Sequence, residues 1–131
     1  MNNDLDKFIE QQVVSFHRKN VDALVKQHPH IINIVNAILA NKDNRAAIQI
    51  TDRGKVIGEY TLHLDGLYIV KVDSGRLASQ INHPFLGVIK PYVVLERAVL
   101  EKILADESSY LKEPFSAVVP YLKDLTIKFL S

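Results

Sequence analysis

The sequence predicts a single α+β domain: a mostly antiparallel twisted sheet of roughly five to six strands covered by helices, with an N-terminal helical pair. Two observations lead there. Apolar residues recur at three- and four-residue steps over roughly the first forty positions and again from Val99, whereas the middle of the chain alternates with a period of two. Three glycine turns, Asp52-Arg53-Gly54, Asp65-Gly66 and Asp73-Ser74-Gly75, punctuate that middle as hairpins require. A length of 131 residues suits one core, so residues 1–131 are expected to form one domain, with 1–44 the helical pair and 45–131 the sheet and its helices.

Residues 4–27 carry Leu5, Phe8, Ile9, Val13, Phe16, Val21, Leu24 and Val25 on one helical stripe, with a drift near Asn20. Pro29 restricts His28 to extended backbone and opens the next helix at its first position. Ile31, Ile32, Val35, Ile38 and Leu39 mark that helix's face, and Asn41-Lys42-Asp43-Asn44 ends it. A three-residue loop at 52–54 would set Ile50 against Val56 and Ile48 against Gly58. An Asp65-Gly66 loop would set Leu64 against Leu67, Leu62 against Ile69 and Tyr60 against Lys71, with His63 beside Tyr68 on the other face. Leu77, Ser79 and Ile81 read as a weaker strand and 82–87 as a loop. Tyr92–Leu95 reads as a strand entered through Pro91. A helix follows with Val99, Leu100, Ile103 and Leu104, and 106–113 is a connection. Pro114 opens a last helix with Phe115, Val118, Val119 and Leu122, and Leu125–Leu130 closes the chain as a strand.

Composition excludes several function classes. Sixteen Lys and Arg against 15 Asp and Glu leave a net charge of +1, dispersed along the chain, so no nucleic-acid partner is expected. The absence of cysteine removes thiol catalysis, disulfides and thiolate metal sites. No apolar stretch approaches the roughly 20 residues that span a bilayer, so no integral membrane segment is expected. Met1–Asp6 lacks a basic region followed by an apolar run, and a cytoplasmic location is the expectation.

Catalytic constellations are not visible. His28 and His30 flank Pro29 and could in principle hold a metal, but no third ligand stands at a matching spacing, so no metal is expected. His63 and His83 are the candidates for an enzyme. A general base needs an orienting partner and a substrate proton in reach, and the sequence shows neither beside them. None of Ser74, Ser79, Ser108, Ser109 and Ser116 sits in a nucleophile motif. The five glycines form no phosphate cradle, so no cofactor is expected. The first helix sets its apolar stripe beside Lys7, Arg18, Lys19 and Lys26, but interspersed Asp4, Asp6 and Glu10 make it a core-docking helix rather than a membrane-surface one.

The order of elements carries a resemblance. Helices precede Ala46-Ala47-Ile48-Gln49-Ile50-Thr51-Asp52, then Tyr60-Thr61-Leu62-His63-Leu64-Asp65-Gly66 and Leu67-Tyr68-Ile69-Val70-Lys71-Val72. Val93-Val94-Leu95-Glu96 leads into Ala98-Val99-Leu100-Glu101-Lys102-Ile103-Leu104, and after Pro114-Phe115-Ser116-Ala117 the chain closes with Tyr121-Leu122-Lys123-Asp124-Leu125-Thr126-Ile127-Lys128-Phe129. Over about residues 46–130 this resembles the sterol carrier protein type two (sterol-binding domain) family. The resemblance implies a sheet covered by helices, with an apolar tunnel between them for sterols, fatty acyl chains or related lipids, and no catalysis. The chain departs from the pattern at Asp124, where the family tends to have glycine, in residues 74–89, which look inserted, in longer N-terminal helices, and in stopping at Ser131 without a trailing helix.

A tunnel of that kind would be lined by Val94, Leu100, Leu104, Phe115, Val119 and Leu122, whose other role is ordinary core. The expected function is therefore non-enzymatic binding of a small apolar or amphipathic ligand. A protein-interaction module or homodimer using the N-terminal helices or the 82–89 loop is the second reading, and an enzyme using His63 or His83 the third.

Overall fold

A computed structural model describes residues 3–39 and 42–131 of the chain. Met1 and Asn2 of the opening segment, and Ala40 and Asn41 at the expected end of the second helix, lie outside the described residues.

The first helical stripe folds as α1 (Asn3–Lys7), a π-helical segment (Phe8–Val13) and α2 (Val14–Gln27). Its buried anchors Leu5, Ile9 and Val13 are spaced by four. Steps of four overshoot an α-turn by about 40°, and the wider i→i+5 turn takes up the overshoot, holding all three on one face. The irregularity thus lies at 8–13, not near Asn20. His28 leaves the helical region, its N–H bonding to the Leu24 carbonyl, and Pro29 opens α3 (Pro29–Leu39) as expected. The face of α3 is a correction: Ile32 is buried, but Ile31, Ile34 and Ile38 are exposed.

A five-stranded mixed sheet follows, ordered β3-β2-β1-β6-β7, from β1 (Asn44–Asp52), β2 (Lys55–Asp65), β3 (Tyr68–Ser74), β6 (Pro91–Glu96) and β7 (Thr126–Phe129). Only β1 and β6 run parallel. The first turn is a two-residue loop, Arg53-Gly54, both with positive φ, joining Asp52 to Lys55. That is the type I′ arrangement. A bulge between Ile50 and Thr51 then sets Ile50 opposite Gly58 and Ile48 opposite Tyr60. The expected register is off by two residues, and an even shift preserves the buried face.

The second turn is Gly66-Leu67, with positive φ at the glycine alone, the type II′ pattern. Helix side chains hold Leu67 there: His17 Nε2 donates to its carbonyl at 2.6 Å, and its N–H donates to Asn36 Oδ1 at 3.2 Å. Leu64 therefore pairs with Ile69. Past a bulge at His63/Leu64, Leu62 pairs with Val72, Tyr60 with Ser74 and His63 with Lys71, which corrects the expected pairings.

Residues 77–80 form no strand. Gln80 bridges Arg45 alone, and the Thr61 hydroxyl donates to the Arg76 carbonyl while accepting from Ala78 N–H. A separate hairpin, β4 (Ile81–His83) with β5 (Gly87–Ile89), replaces the expected loop. After β6 come α4 (Arg97–Ala105), α5 (Glu107–Lys112) where a connection was expected, α6 (Pro114–Val118) and a 3₁₀ segment (Val119–Asp124) containing Pro120. Glu113 caps α6 by accepting from Phe115 N–H.

One side of the sheet carries Ile48, Ile50, Tyr60, Leu62, Val93 and Leu95. It meets Leu5, Ile9 and Val13 of the N-terminal helix and Leu100, Ile103, Tyr110 and Ala117 of the later helices in one apolar cluster. The other side is mostly polar, with Gln49, Thr51, Glu59, Thr61 and His63 beside Ala47 and Val94.

Candidate functional site

The six residues expected to line a tunnel do not converge. Leu100 is buried in the central cluster, against which Leu104 packs at its margin. Val94 pairs in register with Gln49 and Thr126, whereas its neighbours Val93 and Leu95 join the core. Alternation therefore places Val94 on the polar side of the sheet. Phe115, Val119 and Leu122 are 50% to 60% exposed. The last helical stretch turns Ala117, Val118 and Tyr121 toward the core instead, the last of these from a 3₁₀ segment containing Pro120, whose three-residue repeat re-aims the side chains after Val118.

Two further large apolar side chains are exposed in the strand that follows. Ile127 stands opposite Val93 and Phe129 opposite Pro91, so both lie on the helix-covered side of the sheet, yet each is 64% exposed. The terminal strand β7 thus carries apolar side chains past the edge of the helical layer. Their alternation with Thr126 and Lys128 marks one apolar face on the strand read over Leu125–Leu130, and local pattern alone assigns such a face to the core, so their exposure has no signature in the sequence.

Leu104 also borders an open cleft of about 220 Å³ with Gln11, Gln12, Ser15, Phe16, Lys19 and Glu107. Lys19 and Glu107 form an ion pair of 3.2 Å beside it. Behind Phe16 stands an aromatic group that the sequence did not single out. Tyr110 meets Phe16 edge-on at 5.1 Å and stacks on Tyr121 at 6.2 Å. Asp106 accepts from the Tyr121 hydroxyl at 3.2 Å and from the Ser109 hydroxyl at 2.7 Å. Burial, then the charges of Tyr121 and Asp106, push the Tyr110 phenol up to about 12.

The histidines separate. His63 Nε2 donates to Asp73 Oδ2 at 2.7 Å, an orienting carboxylate that the sequence did not reveal because it depends on the β2–β3 register. That hydrogen bond, supported by Lys71 and Arg76, holds the Asp73 carboxyl below its ordinary range against some desolvation. His83 Nδ1 accepts two backbone N–H bonds at a hairpin tip. His28 lies 3.8 Å from Glu113 and against the Phe115 ring, while His30 is exposed. Among the described residues no three His, Cys, Asp or Glu side chains gather as a metal site, and no helix is long and apolar enough to cross a membrane.

No family model matches the chain, and no curated protein matches it. Among the solved structures similar to it are two sterol carrier protein-2-like proteins of Aedes aegypti. Sterol carrier protein-2 like-3 is 17% identical, with 78% of this chain and 85% of that chain covered at a TM-score of 0.40. Sterol carrier protein 2 like 2 is 19% identical, with 85% and 86% covered at a TM-score of 0.37.

Proposed function

We propose that this chain binds a small apolar or amphipathic molecule, of the lipid, fatty acyl or sterol-like class, without catalysing a reaction on it. The observation that carries this reading is the run of five large apolar side chains, Phe115, Val119, Leu122, Ile127 and Phe129, each at least half exposed and confined to three consecutive C-terminal elements. Water solvates such a surface poorly, and each ligand methylene removed from water there contributes about 0.8 kcal/mol. An acyl chain covering about ten methylenes therefore offsets an association cost of several kcal/mol. Of the residues expected from sequence, Phe115, Val119 and Leu122 belong to this ledge, Leu100 and Leu104 pack in and beside the core, and Val94 lies on the opposite side of the sheet.

Displacement of a fluorescent fatty acid tests the proposal. Val119→Asp places a carboxylate that must stay hydrated under the ligand, and uptake should fall at least tenfold. Val94→Thr, on the opposite side of the sheet, should leave uptake unchanged. Equal uptake by Val119→Asp and the unsubstituted chain would overturn the site.

A second reading, self-association, is favoured by the outer edge of β7, the last strand in the sheet order, whose four residues are all exposed. Unpaired edge groups can template a second copy. Sedimentation velocity of the full chain and of Ile127→Glu separates the two readings: a dimer lost on substitution supports pairing.

A further inference from the structure

The β4–β5 hairpin belongs neither to the core nor to the C-terminal ledge. It is a separate two-stranded sheet with a firmly held base. Arg45 and Gln80 exchange backbone hydrogen bonds of 2.8 Å in both directions. Asn82 donates from its backbone to Oδ1 of the buried Asn44 at 2.8 Å and from its side chain to the Asp43 carbonyl at 3.0 Å. The tip is built with equal care. His83 Nδ1 accepts from the N–H of Phe85 at 3.1 Å and of Leu86 at 3.0 Å, and Gly87 supplies the positive φ of 74° that returns the chain.

What this fixed turn displays is apolar. Phe85 is 91% exposed and Leu86 70%, the two most exposed large apolar side chains among the described residues, and Val88 on the returning strand is 55% exposed. Holding adjacent Phe and Leu in water is unfavourable, and the tilted contact of the Phe85 ring with His83 at 6.0 Å still leaves Phe85 91% exposed. A protein partner fits poorly: a specific interface buries about 800 Å² on each side, more than a tip of three apolar side chains presents. A lipid surface asks for less, since attachment there scales with the apolar area that passes the headgroups, and a few side chains give weak, reversible binding. The near-zero net charge of the chain supplies no electrostatic pull, so attachment by this tip needs no anionic lipid.

We infer that the Pro84–Leu86 turn is a membrane-surface contact, in which Phe85 and Leu86 enter the acyl region of one leaflet while the hydrogen-bonded base keeps the body of the protein in water. The inference stands apart from the C-terminal ledge.

The chain contains no tryptophan, so Phe85→Trp provides a single reporter at the tip. With uncharged phosphatidylcholine vesicles its emission should shift to the blue and be quenched by brominated acyl chains. In flotation with the same vesicles, the double variant Phe85→Ser/Leu86→Ser should bind at least tenfold less than the unsubstituted chain. The substituted positions are solvent-facing, so an unchanged thermal transition confirms that the variant is folded. Unshifted and unquenched emission, or equal flotation of the double variant, would overturn the inference. So would a blue shift that grows with protein concentration in the absence of vesicles, which would mark a second copy as the occupant. Loss of flotation in Val119→Asp with full flotation of the double variant would place the contact on the C-terminal ledge and equally overturn it.

Discussion

Tyr60 donates a hydrogen bond of 2.6 Å from its phenol to Oδ1 of Asp6, from a side chain only 1% exposed, and so ties the middle of the sheet to the first turn of the N-terminal helix. The same carboxylate oxygen accepts from the Ser74 hydroxyl at 3.1 Å, joining a second strand to that helix. Hydrogen bonds to a charged partner contribute about 1.5–3 kcal/mol. Tyr60→Phe should therefore lower the unfolding free energy by about that amount, measured by urea denaturation, and Ser74→Ala by less because Ser74 is exposed.

Gly58 lies where Leu5 of the N-terminal helix packs close against the sheet. A β-carbon there would stand 2.7 Å from Leu5 Cδ2 and 2.8 Å from Tyr60 Cε2. Both neighbours are fully buried and have little room to yield. Overpacking of this kind costs about 1–3 kcal/mol, so Gly58→Ala should shift the urea midpoint down by a corresponding amount. Gly54→Ala meets no atom within 4 Å but must hold a φ of 82°, and its cost should come from backbone strain alone.

Alkaline pH should destabilise the fold through two phenols. Burial first, then nearby negative groups, raises both: Tyr110 to about 12 and Tyr60 further still. An unfolded tyrosine ionises near 10, so the folded state resists ionisation. The associated stability is complete below about pH 10 and is lost as pH rises through about 12 and beyond. Phenolate absorbance should show a part of the five tyrosines titrating late, together with unfolding. Simple titration of all five near pH 10 in folded protein would contradict this.

Acid should act through Asp73 and Glu96. Asp73 is lowered chiefly by its hydrogen bond from His63, and Glu96 chiefly by the Thr51 hydroxyl, with the N–H groups of Arg53 and Gly54 adding to it. Desolvation opposes both shifts. Depressed carboxyl values mean stability present above about pH 4 and lost as pH falls through the folded-state values. Asp73→Asn and Glu96→Gln should be less stable than the unsubstituted chain at pH 7 and should converge with it in strong acid, read from urea midpoints across pH.

The period change, the helix stop before Pro29 and the three hairpin strands were legible in the sequence because each rests on local chemistry. Registers were less so. Leu67 becomes a turn residue only because His17 and Asn36, from helices 50 and 31 positions away, hold its backbone. The parallel pairing of β1 with β6 carries no local signature. Site residues suffered most: Phe115, Val119 and Leu122 are apolar and helical as read, but α6 turns Ala117 and Val118 inward and the 3₁₀ segment containing Pro120 turns Tyr121 inward. Val94 was misplaced by one step of strand alternation, the smallest error that moves a side chain across a sheet.

Native mass spectrometry of the full chain mixed with a long-chain fatty acid tests the carrier reading most directly. A protein peak heavier by one fatty acid, abundant in the unsubstituted chain and lost in a folded Val119→Asp/Ile127→Asp variant, is the predicted result. The unsubstituted chain remaining bare at ligand excess, or the variant retaining the adduct undiminished, would contradict it.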